Sequence, residues 1–190
     1  MRPALAGGCG FDAADFFASY LGDGARDADA IVPSPLMPHL LFQWLERRAR
    51  ERWPSRRVGV RMPGAIAGVP WQKEGGESTR YVSFAEWMCP VNCIEPAVCP
   101  HTREARSWSL PPSVAAHVET SRAAGERLDG PAIFHCTHRA YGVGMIDVRD
   151  VLAAERLLAE TAERGEVRLL VGTVSHCHGA LGVLSVSAGV

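Results

Sequence analysis

Four stretches of the chain repeat apolar residues at three- and four-residue spacing, and four shorter ones are continuously or alternately apolar. Ala13, Phe16, Phe17, Tyr20 and Leu21 predict an amphipathic helix over Asp12 to Leu21. Met37, Leu40, Leu41, Trp44 and Leu45 predict a second, opened by Ser34-Pro35 as cap and first helical residue, running to about Arg52 before Pro54. A third is expected over Ser113 to Arg127. The fourth covers Val148 to Arg164, with Asp147 as cap, Val151, Ala154, Leu158 and Ala162 inward, and Gly165 as the stop. Ala30 to Val32, Arg57 to Met62, Pro131 to Phe134 and Val167 to Val174 read as strands. Strand, helix, strand at the end of the chain, and again around Val32 to Met62, predicts crossover units. The expected fold is a three-layer α/β domain on a mostly parallel, Rossmann-like sheet.

Between Pro63 and Pro112 this regularity lapses. Prolines and glycines recur, and Trp71, Trp87 and Trp108 follow no period. A structureless segment of this length is uncommon in a compact domain unless it serves a function. We therefore expect one domain over 1–190, with 63–112 as an irregular, metal-organised insertion. The uncharged stretch Val171 to Val190 has the length of a membrane span. It holds His176, His178, four glycines and several hydroxyls, so a buried strand and its neighbour are expected instead, with no membrane insertion.

Composition adds exclusions. Hydrophobic residues make up 47% and charged residues 22%, which argues against a disordered chain. A net charge of -1 argues against binding nucleic acid by broad phosphate neutralisation. Met1 to Gly10 lacks the basic and apolar segments of a secretory leader. The expected compartment is the cytoplasm, where six cysteines are thiols or ligands rather than disulfides.

The chemical signal lies in Trp87-Met88-Cys89-Pro90-Val91-Asn92-Cys93-Ile94-Glu95-Pro96-Ala97-Val98-Cys99-Pro100-His101. Three cysteines fall within eleven residues, and proline follows two of them, stiffening the turns that present the thiols. Thiolates suit both zinc and iron–sulfur clusters. The gaps of three and five residues lack the Cys-x-x-Cys pair usual in zinc ribbons, so an iron–sulfur cluster is favoured and zinc is the alternative. Two further groups, His135-Cys136-Thr137-His138 and His176-Cys177-His178, follow predicted strands. Parallel strands would bring both to one sheet edge, where α/β proteins place their sites. The expected metal ligands are Cys89, Cys93, Cys99 and Cys177, with Cys136 and His101 as substitutes for the last. Their sulfurs should converge at the carboxyl edge of the sheet. Cys9, in a glycine-rich stretch near the start, is not expected to take part.

The Trp-Met-Cys-Pro opening, Cys93, Glu95-Pro96, Cys99-Pro100 and the later Cys177-His178-Gly179 resemble small bacterial proteins sometimes filed beside NAD-binding regulatory subunits of potassium uptake systems. The resemblance implies a Rossmann-like body. No Gly-x-Gly-x-x-Gly follows a strand, so it does not extend to the dinucleotide fingerprint. Phe134-His135-Cys136 is similar to the phosphate loop of cysteine phosphatases, but Gly142 stands where their arginine belongs. Tyr141-Gly142-Val143-Gly144 could cradle an anion. The function expected first is a redox or regulatory metal-binding protein, with a redox partner or small ligand. The alternatives are an enzyme using Cys136 or Cys177 as nucleophile beside histidine, and a nucleotide-binding regulatory domain.

Overall fold

The computed structural model describes residues 13–33, 37–90, 92–140 and 143–189. The proposed cap Ser34-Pro35, Cys9 and Tyr141-Gly142 of the candidate anion loop lie outside them. The described helices are α1 (Ala13–Ser19), α2 (Leu40–Arg52), α3 (Leu110–Ala123) and α4 (Val148–Glu163). A π-helical turn, Tyr20–Gly24, follows α1. The strands are β1 (Ala30–Ile31), β2 (Val58–Arg61), β3 (Trp71–Glu74), β4 (Arg80–Ser83), β5 (Gly130–Ala140), β6 (Val143–Asp147), β7 (Val167–Val174) and β8 (His178–Val186).

One sheet takes all eight, in the order β1-β6-β5-β7-β8-β4-β3, with β2 also on β8. β4 pairs with the first half of β8, Ser83 opposite His178, and β2 with the second half, Val58 opposite Val186. The expectation of a mostly parallel Rossmann-like sheet is overturned. Only β5 and β7 run parallel, from Gly130 opposite Leu169 to His135 opposite Val174; the remaining pairs are antiparallel. The reason is connection length. α4 lies between β6 and β7 and provides the long crossover that parallel neighbours require, whereas β5–β6, β7–β8 and β3–β4 are separated by only a few residues, enough for antiparallel neighbours alone. The supposed crossover around Val32 to Met62 also fails, because β1 pairs with β6 and β2 with β8.

Helices cover both faces. Trp44, Leu45, Val151 and Leu158 from α2 and α4 pack with Phe134, Leu169, Val171 and Leu184 of the sheet. On the other face Leu110, Val114 and Val118 of α3 meet Leu170, Val174, Leu181 and Val183. Alternation along β7 supplies both faces, so it reads as a continuous apolar run; each such buried side chain contributes about 1.5–3 kcal/mol. At Gly179 a Cβ would stand 2.7 Å from Val174 Cγ1 and 2.8 Å from Leu110 Cδ2, so the absent side chain lets α3 approach the start of β8. Among the described residues no helix is long and apolar enough to cross a membrane.

The segment 63–112 is more ordered than the sequence suggests. It contains the β3–β4 hairpin, which extends the main sheet through β8. Besides 63–70 and the 75–79 hairpin connection, the stretch 84–109 lacks named strands or helices, and within it Val98 and Ala105 form an isolated bridge.

Candidate metal centre

The irregular stretch is stitched to the β7–β8 turn at both ends. Phe84 N–H donates to Cys177 O at 2.9 Å, and Leu110 N–H to His176 O at 2.9 Å. In its middle Glu95 is buried, 8% exposed, and adopts a left-handed backbone, φ 51°, uncommon for a residue with a side chain. Its carboxylate accepts from Ser175 Oγ at 2.6 Å, His176 N at 2.8 Å and Cys177 N at 3.2 Å. One acidic side chain thus satisfies the turn that carries Cys177 and holds the cysteine loop against it. The turn is further braced by Ser109 Oγ at 2.9 Å from His176 Nδ1 and by Ser83 Oγ at 3.0 Å from His178 Nδ1.

The cysteine loop folds through its own short bonds. Cys93 N–H donates to Pro90 O at 3.0 Å, and Arg103 N–H to Cys99 O at 2.8 Å. Arg106 donates from its guanidinium to Pro96 O at 3.4 Å and Trp108 O at 3.3 Å. Trp87 stacks on His101, ring centres 4.5 Å apart, and meets Trp108 edge-on at 6.4 Å.

These contacts place Cys89, Cys93, Cys99 and Cys177 on the wall of one cavity of about 600 Å³, together with the two substitutes, Cys136 and His101. The cavity opens beside the carboxyl end of β7, the parallel partner of β5. Cys136 does not stand beyond a strand end, as expected, but inside β5 opposite Ile146 of β6, because β5 continues six residues past Phe134. The described cysteines are free thiols. Among the described residues no group of three or more His, Cys, Asp or Glu is placed to hold a metal ion.

Nitrogen donors are directed at the sulfurs. Trp108 Nε1–H donates to Cys177 Sγ at 3.3 Å, and Glu95 N–H to Cys93 Sγ at 3.4 Å. The backbone N–H of Thr102, then that of His101, point at the Cys99 sulfur and hold its pKa below the ordinary thiol range. Cys89, Cys136 and Cys177 lean the opposite way. Burial pushes Cys177 up to about 12 and Cys136 up to about 11. Burial, then the neighbouring Cys93 and Cys99, raises Cys89. A bound cation would supply the positive charge that favours their deprotonation. The same values oppose the expectation of Cys136 or Cys177 as nucleophile, which needs a lowered pKa.

Sequence reasoning gave Glu95 no role of its own, and it missed Trp108 as a donor to sulfur. An acidic residue set between two prolines and cysteines in an apolar loop was the available signal for the first. Nothing local marked the second, whose partner lies 69 residues away.

Residues 41–187 match the model of a family described as an uncharacterised protein, C-terminal domain. No curated protein and no solved structure matches the chain. The family match runs from α2 through β8 and takes in every cysteine that lines the cavity, so the chain belongs to this family.

Proposed function

We propose that this chain carries an iron–sulfur cluster in the cavity, held by Cys89, Cys93, Cys99 and Cys177, and acts as a redox or regulatory protein. The observation that carries the reading is the convergence of these four cysteines, from loop and sheet turn, on one cavity with N–H donors directed at three of the sulfurs. Such donors offset negative charge on cysteine sulfur and are a lever by which proteins set cluster potentials. The gaps between the loop cysteines, which lack a Cys-x-x-Cys pair, favour a cluster over a single zinc ion. Zinc at about 2.3 Å from each sulfur draws all four within roughly 4 Å of one another, whereas a cluster takes its cysteines at separate corners. When bound, the cluster would supply one-electron exchange. The chain's own part is to present the thiols, direct donors at them and enclose them between Trp87 and Trp108.

Anaerobic purification followed by iron, sulfide and zinc analysis tests the reading. Brown protein containing iron and acid-labile sulfide is expected. Cys89→Ser, Cys93→Ser, Cys99→Ser and Cys177→Ser should each lose it, and Cys9→Ser should keep it. Colourless protein with one equivalent of zinc would replace the metal and keep the ligand set. Unchanged metal content in all four ligand variants would sink the assignment.

A further inference from the structure

The wall of this cavity opposite the cysteine loop is built by the sheet, from Cys136 and His138 of β5, Thr173 of β7 and His178 of β8. Thr173 is 9% exposed, and its Oγ1 has no hydrogen-bond partner; His138 Nδ1 is likewise buried and unpartnered. Unpaired polar atoms are costly inside a protein, and two on one cavity wall mark groups that a ligand can satisfy. Thr173 lies opposite Phe134, and Phe134, Cys136 and His138 alternate onto one face. The two groups therefore stand four residues apart along β5, roughly 13 Å. One molecule meeting both must be elongated.

Charge and shape narrow it further. The Glu95 carboxylate is spent on the β7–β8 turn, and the Arg106 guanidinium already donates to two carbonyl oxygens. The walls thus favour an uncharged ligand, and the tryptophan faces favour a flat ring. Thr173, Pro33 and Pro38 also line an adjoining cavity of about 400 Å³, walled by apolar side chains that include Phe17, Ile31 and Leu41. A ligand that reaches both spaces needs an apolar portion for the second.

We infer that this double cavity binds a quinone with an apolar tail. A para-quinone carries carbonyl oxygens at opposite ends of a flat ring, so with a hydrogen bond at each end it bridges a gap of this order, His138 at one side and Thr173 at the other. Its tail lies among Phe17, Ile31 and Leu41. The inference deepens the proposed centre by naming an organic partner for the same cavity, but binding itself depends only on these walls.

Isothermal titration of the purified protein with decylubiquinone tests it. Saturable one-to-one binding is expected, at least fivefold weaker in Thr173→Val and in His138→Phe, and retained in Thr173→Ser, with melting curves confirming that each variant is folded. The same quinone head without its tail should bind at least tenfold more weakly, and decanoate should not saturate. No saturable binding, or binding that neither Thr173→Val nor His138→Phe weakens, overturns the inference. Metal analysis of the same samples separates the two proposals. Iron without quinone binding sinks only this one, and quinone binding without metal sinks only the cluster.

Discussion

The body of the sheet and the stretch from Phe84 to Ser109 keep their shape by different means. β5, β7 and β8 are held by long ladders and by two apolar clusters whose central side chains are fully buried. The cysteine stretch has one isolated bridge of its own. It is fixed by a few polar contacts, above all the Glu95 carboxylate under the β7–β8 turn and the two backbone bonds at its ends. Distributed apolar burial tolerates the loss of any one contact better than a segment hung on one carboxylate does. The site therefore borrows its order from the sheet, and the sheet owes little to the site.

The largest effect should come from the body. Phe134→Ala empties a fully buried position and is expected to cost about 3–5 kcal/mol in urea unfolding, lowering the stability of both regions together. A cost confined to the cysteine stretch would contradict the asymmetry.

Glu95→Ala should do the reverse. It leaves Ser175 Oγ and the His176 and Cys177 amides without their acceptor, costing about 1–3 kcal/mol per group left unsatisfied and buried. We expect rapid proteolysis between residues 84 and 109 and loss of bound metal, with a far smaller change in the unfolding of the sheet. A parent-like digestion pattern would show that the carboxylate is not the clamp.

Trp108→Phe keeps an aromatic ring, though a smaller one, and removes the indole donor to Cys177. A loss of about 0.5–1.5 kcal/mol is expected. Because that donor lowers the Cys177 pKa, the metal-free variant should alkylate Cys177 still more slowly than the parent at neutral pH. Faster alkylation would mean that the indole shields the sulfur rather than stabilising its charge.

The smallest effect is on pH. Burial first, and the neighbouring His176 second, lower the His135 pKa below its ordinary value of 6.5; burial and then Arg106 lower that of His176. The unfolded chain binds protons at these sites before the folded one does, so their contribution is complete above about pH 6.5 and is lost as the pH falls through it. The melting temperature should drop between pH 7 and 5, and drop less in His135→Gln. An identical slope in that variant would remove His135 from the account.

Much of this was legible locally. The periodic segments found α4 almost to the residue and α2 at its end, although α2 starts only at Leu40 and leaves Met37 outside the helix, and the apolar run Val167–Val174 is β7. The family model covers these same elements. β5 was cut short at Phe134, because the polar residues His135 to Arg139 gave no apolar signal, although they continue the strand. β3 and β4, four residues each, were too short and too polar for alternation to show. Of the site, the three loop cysteines announced themselves through their spacing and prolines. Cys177 was selected by its position after an apolar strand, and it does line the same cavity.

What the sequence determined by itself, then, is which segments are helical or extended, which of their positions face inward, and which side chains carry thiol chemistry. These are properties of neighbours along the chain, written in spacings of two, three and four residues. Strand direction was decided elsewhere, because an apolar run is buried alike in parallel and antiparallel company, and only the connections choose between them. The clamp was decided in three dimensions too. Glu95 meets Ser175, His176 and Cys177 across 80 to 82 positions of chain, and Trp108 meets Cys177 across 69. No local period encodes such meetings. They exist because the sheet brings the β7–β8 turn under the loop, where its donors meet the buried carboxylate.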